Sequence, residues 1–322
     1  MSAVEILEGG IQTTVQDYPG RRGLLAQGFF PAGPMDHLAF RAANLLVGNP
    51  EDAAGLEVTL GNVSFRVGAD TLAAVCGAEA PVTVDGAEVP LWQSVQVGAG
   101  SELAIGPARG PGFRLYVGLA GGIDVPPVLG SRATYTMGAL GGLEGRSLAA
   151  GDRLPLGDAR GRPQPFAARP EYVRDWELRA MRGPQSAPDF LTEADMEMLF
   201  TRAWSVNPNS NRTGIRLEGG TFEWARRSGG IAGGHPSNIL DNPYPVGAVN
   251  INGDLPVILA PDGPTAGGFV VAATVIHADL WKLGQLRPVG DTVRFRETTI
   301  EEAVELDRAL DESLRPECLE RP

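Results

Sequence analysis

Lysine is nearly absent from this sequence: of 27 basic side chains, all but Lys282 are arginine. A glycine-flanked lysine is therefore missing, and no P-loop of the form GxxxxGK[ST] can be built. Cysteine is almost as scarce. Cys76 sits in apolar "LAAVCGAEA" and Cys318 in a polar tail, which is neither a metal spacing nor a disulfide framework. The first reads as a small buried hydrophobe and the second as a tail thiol.

The three histidines, His37, His235 and His277, are far apart, and neither HExxH nor GxSxG occurs. Each histidine reads as structural. A net charge of −12 with no basic cluster excludes nucleic acid as a partner. No apolar run approaches the ~20 residues of a membrane helix, and the opening "MSAVEILEGG" has neither a basic n-region nor an apolar h-region. The expectation is a soluble, cytoplasmic protein with no membrane contact and no metal of its own.

Glycine and proline, by contrast, are abundant, at 43 and 26 residues. They punctuate short apolar runs such as "LEVTL", "VSFRV", "TLAAVCG", "SVQVGAG", "SELAIG" and "FRLYVGLAGG". Strands this short and regular predict a mainly β protein of barrels or sandwiches rather than alternating βαβ units. A few helices interrupt them. "PMDHLAFRAANLLVGN" has Asp36 as N-cap and Gly48 as stop, Thr192 and Asp195 form a capping-box pattern, and Thr299 with Glu302 opens an amphipathic tail. The polar, proline-bearing "GRPQPFAARPEY" predicts a linker over 161–172. The expected modules are 1–160, 173–296 and a helical tail over 299–322.

The stretch "SNILDNPYPVGAVNINGD" (residues 237–254) crowds Asn238, Asp241, Asn242, Tyr244, Asn250 and Asn252 against the apolar run "LPVILA". Asn and Asp favour turns because their side chains bond nearby backbone.

"TTVQDYPGRRG", "AGPMDHLAFRAANLLVGN", "NRTGIRLEGG", "GGHPSNILDNPYPVGAVNINGDLPVIL", "DGPTAGGFVVAATV" and "DLWKLGQLRP" together resemble the family often labelled allophanate hydrolase subunit 2. That family is one half of the carboxyltransferase unit of biotin-dependent urea carboxylase and a relative of the 5-oxoprolinase C subunit. The resemblance covers nearly the whole chain and departs at "RPVGD", where Val289 lengthens a turn. It implies two β-barrel-like modules, the second cyclophilin-like. It further implies carboxyl transfer from carboxybiotin, carried on a separate chain, to urea or a urea-like compound such as guanidine.

The implied partners are a transferase half of the allophanate hydrolase subunit 1 type, a biotin carboxylase and a biotin carrier. No activity is expected from the chain alone. Asp241 and Lys282 are the expected catalytic groups. Asn238, Asn242, Tyr244, Asn250, Asn252 and Gln285 are the expected substrate contacts, since urea is planar and needs fixed acceptors for its N–H groups, with Lys282 and Gln285 ("WKLGQ") donating toward the transferred carboxyl or the biotin ureido oxygen. The turn-former reading stays open for Asp241, Asn250 and Asn252, as does a strand-capping ion pair for Lys282. Two other readings remain: a 5-oxoprolinase C subunit in ATP-dependent ring opening, and a non-enzymatic regulatory partner of a kinase inhibitor.

Overall fold

The computed structural model describes residues 2–159, 161–163 and 169–314. Cys318 and the end of the expected tail lie outside the described residues, as does part of the expected linker. The chain forms two compact units, one made of residues up to 22, 31–172 and 311 onward, the other of 23–30 and 173–310.

In the first unit the chain runs through β1 (Ala3–Gly9), β2 (Gln12–Gln16), α1 (His37–Leu46), β3 (Gly55–Thr59), β4 (Val63–Val67) and β5 (Thr71–Gly77). It continues through β6 (Val82–Val84), β7 (Ala87–Glu88), β8 (Ser94–Val97), β9 (Glu102–Ile105), β10 (Arg114–Leu119) and β11 (Arg153–Pro155). One sheet has the order β11-β1-β4-β9-β6-β7 and the other β2-β3-β10-β5-β8. Val4, Ile6, Phe65 and Leu103 from the first sheet share one core with Val15, Leu56, Val75 and Leu115 from the second. Helix α1 begins where Asp36 accepts a hydrogen bond from the Ala39 N–H at 2.9 Å, and ends at Gly48, whose φ of 78° closes the last turn. Cys76 is buried, as its surroundings predict, and burial pushes its thiol pKa well up.

The second unit contains β12 (Asp175–Arg182), α2 (Glu193–Thr201), β13 (Trp204–Val206), β14 (Gly214–Glu218) and β15 (Asn238–Pro243). After these come β16 (Ala248–Asn252), β17 (Leu255–Leu259), β18 (Ala266–Val275), β19 (Thr292–Glu297) and α3 (Ile300–Ser313). Seven strands close into a barrel in the order β12-β19-β13-β14-β17-β16-β18, because β18 pairs back onto β12 with Ala180 opposite Val275. Closure removes the sheet edges, except where β15 adds to β18 as an outer strand. Along β12, buried Trp176, Leu178 and Ala180 alternate with more exposed residues, the period-2 pattern of a strand with one packed face. Helix α2 carries the full capping box: Thr192 Oγ1 accepts from the Asp195 N–H, and Asp195 Oδ2 accepts from the Thr192 N–H.

Candidate functional site

Strand β16 is buried on both of its faces, unlike β12. Val249 and Ile251 occupy one face. Ala248 and Asn250 occupy the other. There Ala248 joins Tyr244, Val257, Leu259 and Val271 in a small apolar cluster, separate from the main core of the first unit. Register places Asn250 against the same cluster, since it lies opposite Val257 on β17 and opposite Val271 on β18.

Asn250 is the polar exception in this cluster. It is 4 % exposed, and its side-chain Oδ1 is buried with no hydrogen-bond partner among the described residues. A buried acceptor left unmatched costs about 1–3 kcal/mol. Such a group calls for a partner from outside the chain.

The cluster is roofed from β15. The Tyr244 hydroxyl donates to the Phe269 carbonyl at 2.9 Å and accepts from the Phe269 N–H at 2.7 Å, so it staples the end of β15 to β18. Burial raises the Tyr244 pKa, opposed by the hydrogen bonds of the Phe269 backbone and the Asn250 side chain. Asn242 sits beside it, its Oδ1 accepting from Gln185 Nε2 at 3.2 Å and its Nδ2 donating to the Pro243 carbonyl at 2.8 Å. Gln185 Oε1 in turn accepts from the Val271 N–H at 2.9 Å. Asp241 is exposed on β15, and its Oδ1 accepts the N–H of Asn242 at 3.0 Å. Asn238 is half-buried and pairs with Phe269, while Asn252 is exposed at the β16–β17 turn.

The structure therefore gathers Asn238, Asp241, Asn242, Tyr244 and Asn250 around the start of β18. It does not bring Lys282 or Gln285 to them. Both belong to a 3-10 segment (His277–Gly284) and its C-cap, beyond the far end of β18. Along that strand Val275 lies about 25 Å from Gly267, opposite Asn242, and about 13 Å from Val271, opposite Asn250. There Lys282 Nζ pairs with Asp279 Oδ1 at 2.8 Å and donates to the Glu177 carbonyl at 2.9 Å. Asp279 also takes both Nε and Nη2 of Arg179. Burial opposes ionisation of Asp279, but the Arg179 hydrogen bonds and the Lys282 charge outweigh it, and its pKa is lowered. Gln285 is fully buried.

Gln185 joins the site through Asn242 and the Val271 N–H without any sequence signal. It stands in "RGPQSAP", with no pattern to mark it, and reaches Asn242 only through the closure of β12 on β18. Among the described residues no group of three or more metal-ligating side chains converges. No helix among them is long and apolar enough to cross a membrane.

Residues 27–297 match the family described as "Carboxyltransferase domain, subdomain A and B". The chain belongs to that carboxyltransferase domain family. It is 41% identical to the urea amidolyase of Saccharomyces cerevisiae over 98% of its own length and 18% of that protein. It is 33% identical to the 5-oxoprolinase C subunit of Escherichia coli, over 94% of this chain and 93% of that protein. The crystal structure of the Kluyveromyces lactis urea carboxylase superposes with a TM-score of 0.94 at 39% identity, covering 99% of this chain and 30% of that one. This carboxyltransferase domain thus spans less than a third of these two fungal proteins.

Proposed function

We propose that the chain is the part of a biotin-dependent carboxyltransferase that holds the acceptor, urea or a urea-like compound such as guanidine. The observation that carries this reading is the buried, unmatched Oδ1 of Asn250 beside a site otherwise closed by Tyr244 and Gln185. Urea offers four N–H donors around one carbonyl, and each of them needs an acceptor when it leaves water.

In this reading Asn250 accepts one substrate N–H, and the exposed Asp241 carboxylate accepts another at the mouth. Asn242, fixed by Gln185, orients the planar molecule. Held this way, the acceptor nitrogen meets the carboxyl group already oriented. Carboxybiotin, delivered by a separate carrier, supplies the activated carboxyl. Transfer would break the bond between the biotin nitrogen and the carboxyl carbon as a substrate nitrogen bonds that carbon, and the proton lost by the substrate nitrogen would end on the biotin nitrogen. Lys282, locked to Asp279 and Glu177, serves the fold in this account.

The fit to the 5-oxoprolinase C subunit over nearly its whole length supports a second reading, ring opening of 5-oxoproline within a multi-chain enzyme. One experiment separates the two. The chain is combined with a partner transferase half, biotin carboxylase, biotin carrier, ATP and labelled bicarbonate. Label incorporation that depends on urea or guanidine is the expected result. No incorporation with either, together with ATP-dependent loss of 5-oxoproline when the chain joins the other 5-oxoprolinase chains, would establish the second reading instead.

A further inference from the structure

The loops beside β15 carry two aromatic N–H groups that no residue of the site uses. Ser237 is buried, and its Oγ accepts the Gly253 N–H at 3.2 Å, three residues beyond Asn250. The Ser237 N–H points at His235 Nδ1 at 3.1 Å, and Ser237 Oγ lies 2.8 Å from the same nitrogen. A backbone N–H can only donate, so Nδ1 is the acceptor and the neutral ring carries its proton on Nε2. The Ser237 hydroxyl, already accepting from Gly253, turns its own hydrogen toward Nδ1.

The same loop is fixed from outside. Arg226 donates to the carbonyls of Pro236 and Asn238 and lies over the Phe190 ring at 4.5 Å. Trp224 meets His235 edge-on, with ring centroids 5.6 Å apart at 90°. Its backbone is held at φ 62° while Asp195 Oδ2 accepts its N–H at 3.1 Å. Trp224 Nε1 is buried and has no hydrogen-bond partner among the described residues. His235 is exposed.

Two N–H donors without acceptors, on rigid rings anchored to the turn that follows Asn250, are the inverse of the Asn250 acceptor. We propose that His235 Nε2–H and Trp224 Nε1–H form an oxyanion subsite that binds the carboxylate oxygens during transfer. The proposal rests on the carboxyltransferase reading above. The acceptor molecule meets an acceptor side chain at Asn250, and the anionic carboxyl meets donors on the loop that Ser237 ties to Gly253, three residues beyond it. No bond is made to either ring. Their hydrogen bonds strengthen as negative charge gathers on the carboxyl oxygens.

The test has two arms. In the complete enzyme, His235→Phe and Trp224→Phe should each lower kcat by about 10- to 100-fold, the range of a hydrogen bond to a charged group, with little change in the KM for urea. His235→Gln, which restores an N–H donor, should recover part of the loss. Unchanged kcat in both Phe variants would overturn the subsite.

The second arm needs no catalysis. In the full-length chain, labelled with 15N at histidine and tryptophan, His235 should show an unprotonated Nδ1 and a protonated Nε2. Acetate should shift the His235 and Trp224 ring signals together, and His235→Phe should remove the shift at Trp224. Ring signals indifferent to acetate would overturn the subsite even if the enzyme proved to carboxylate urea. An acetate response with no carboxylation of urea or guanidine would keep the anion-binding subsite and sink the transferase reading.

Discussion

Asp241 and Asn250 are both short polar residues of one crowded stretch, yet burial gives them different work. Asn250 is enclosed with an unmatched oxygen, whereas Asp241 is exposed and bonds its neighbour's backbone. Sequence cannot separate the two, because turn formers and ligand acceptors are the same residue types. Asp241→Asn keeps the turn chemistry and removes the charge. We expect turnover in the complete enzyme to fall about 10-fold, the lower end for a charge-assisted hydrogen bond because water screens an exposed group. The melting temperature of the chain should not move. Steady-state kinetics alongside thermal melts check this, and near-normal turnover would remove Asp241 from the site.

At the scale of elements, local signals were legible and long-range pairing was not. The Asp36 cap and the Thr192–Asp195 capping box are both present as their sequence patterns predict. The return of β18 onto β12, which delivers Gln185 to Asn242, leaves no trace in any local pattern. Two expectations follow for particular elements. Tyr244→Phe removes both hydrogen bonds to Phe269 and should loosen β15, costing about 1–3 kcal/mol with faster amide exchange at Phe269. A melt and an exchange profile equal to the parent's would contradict the staple. Lys282→Met tests the lock at the other end of β18. The lowered pKa of Asp279 means that its contribution to stability is complete above the ordinary carboxylate value and is lost as pH falls through the folded value. Removing Lys282 raises that folded value, so acid unfolding should begin at higher pH. An unchanged acid midpoint would show that Lys282 is not part of the lock.

At the scale of the molecule, the mainly β architecture follows from glycine- and proline-punctuated short strands, and the closed barrel from pairing that only the structure reveals. The tail pattern predicted helix α3 but not its contacts: His277 pairs with Asp307 on it at 2.6 Å, while Ile300 stays exposed. The chain covers 18% of one fungal enzyme that it resembles and 30% of another, so we expect other domains or chains to complete its chemistry. Asn250→Leu tests whether the Asn250 face receives an N–H-rich acceptor. Leucine matches the shape, removes the unmatched oxygen and offers the substrate nothing. We expect a fall of at least about 10-fold in kcat/KM for urea in the complete enzyme, with a cooperative melt of the chain close to the parent's, since losing the unmatched oxygen offsets losing the hydrogen bond to Tyr244. Unchanged kcat/KM, with or without a lower melting temperature, would contradict it.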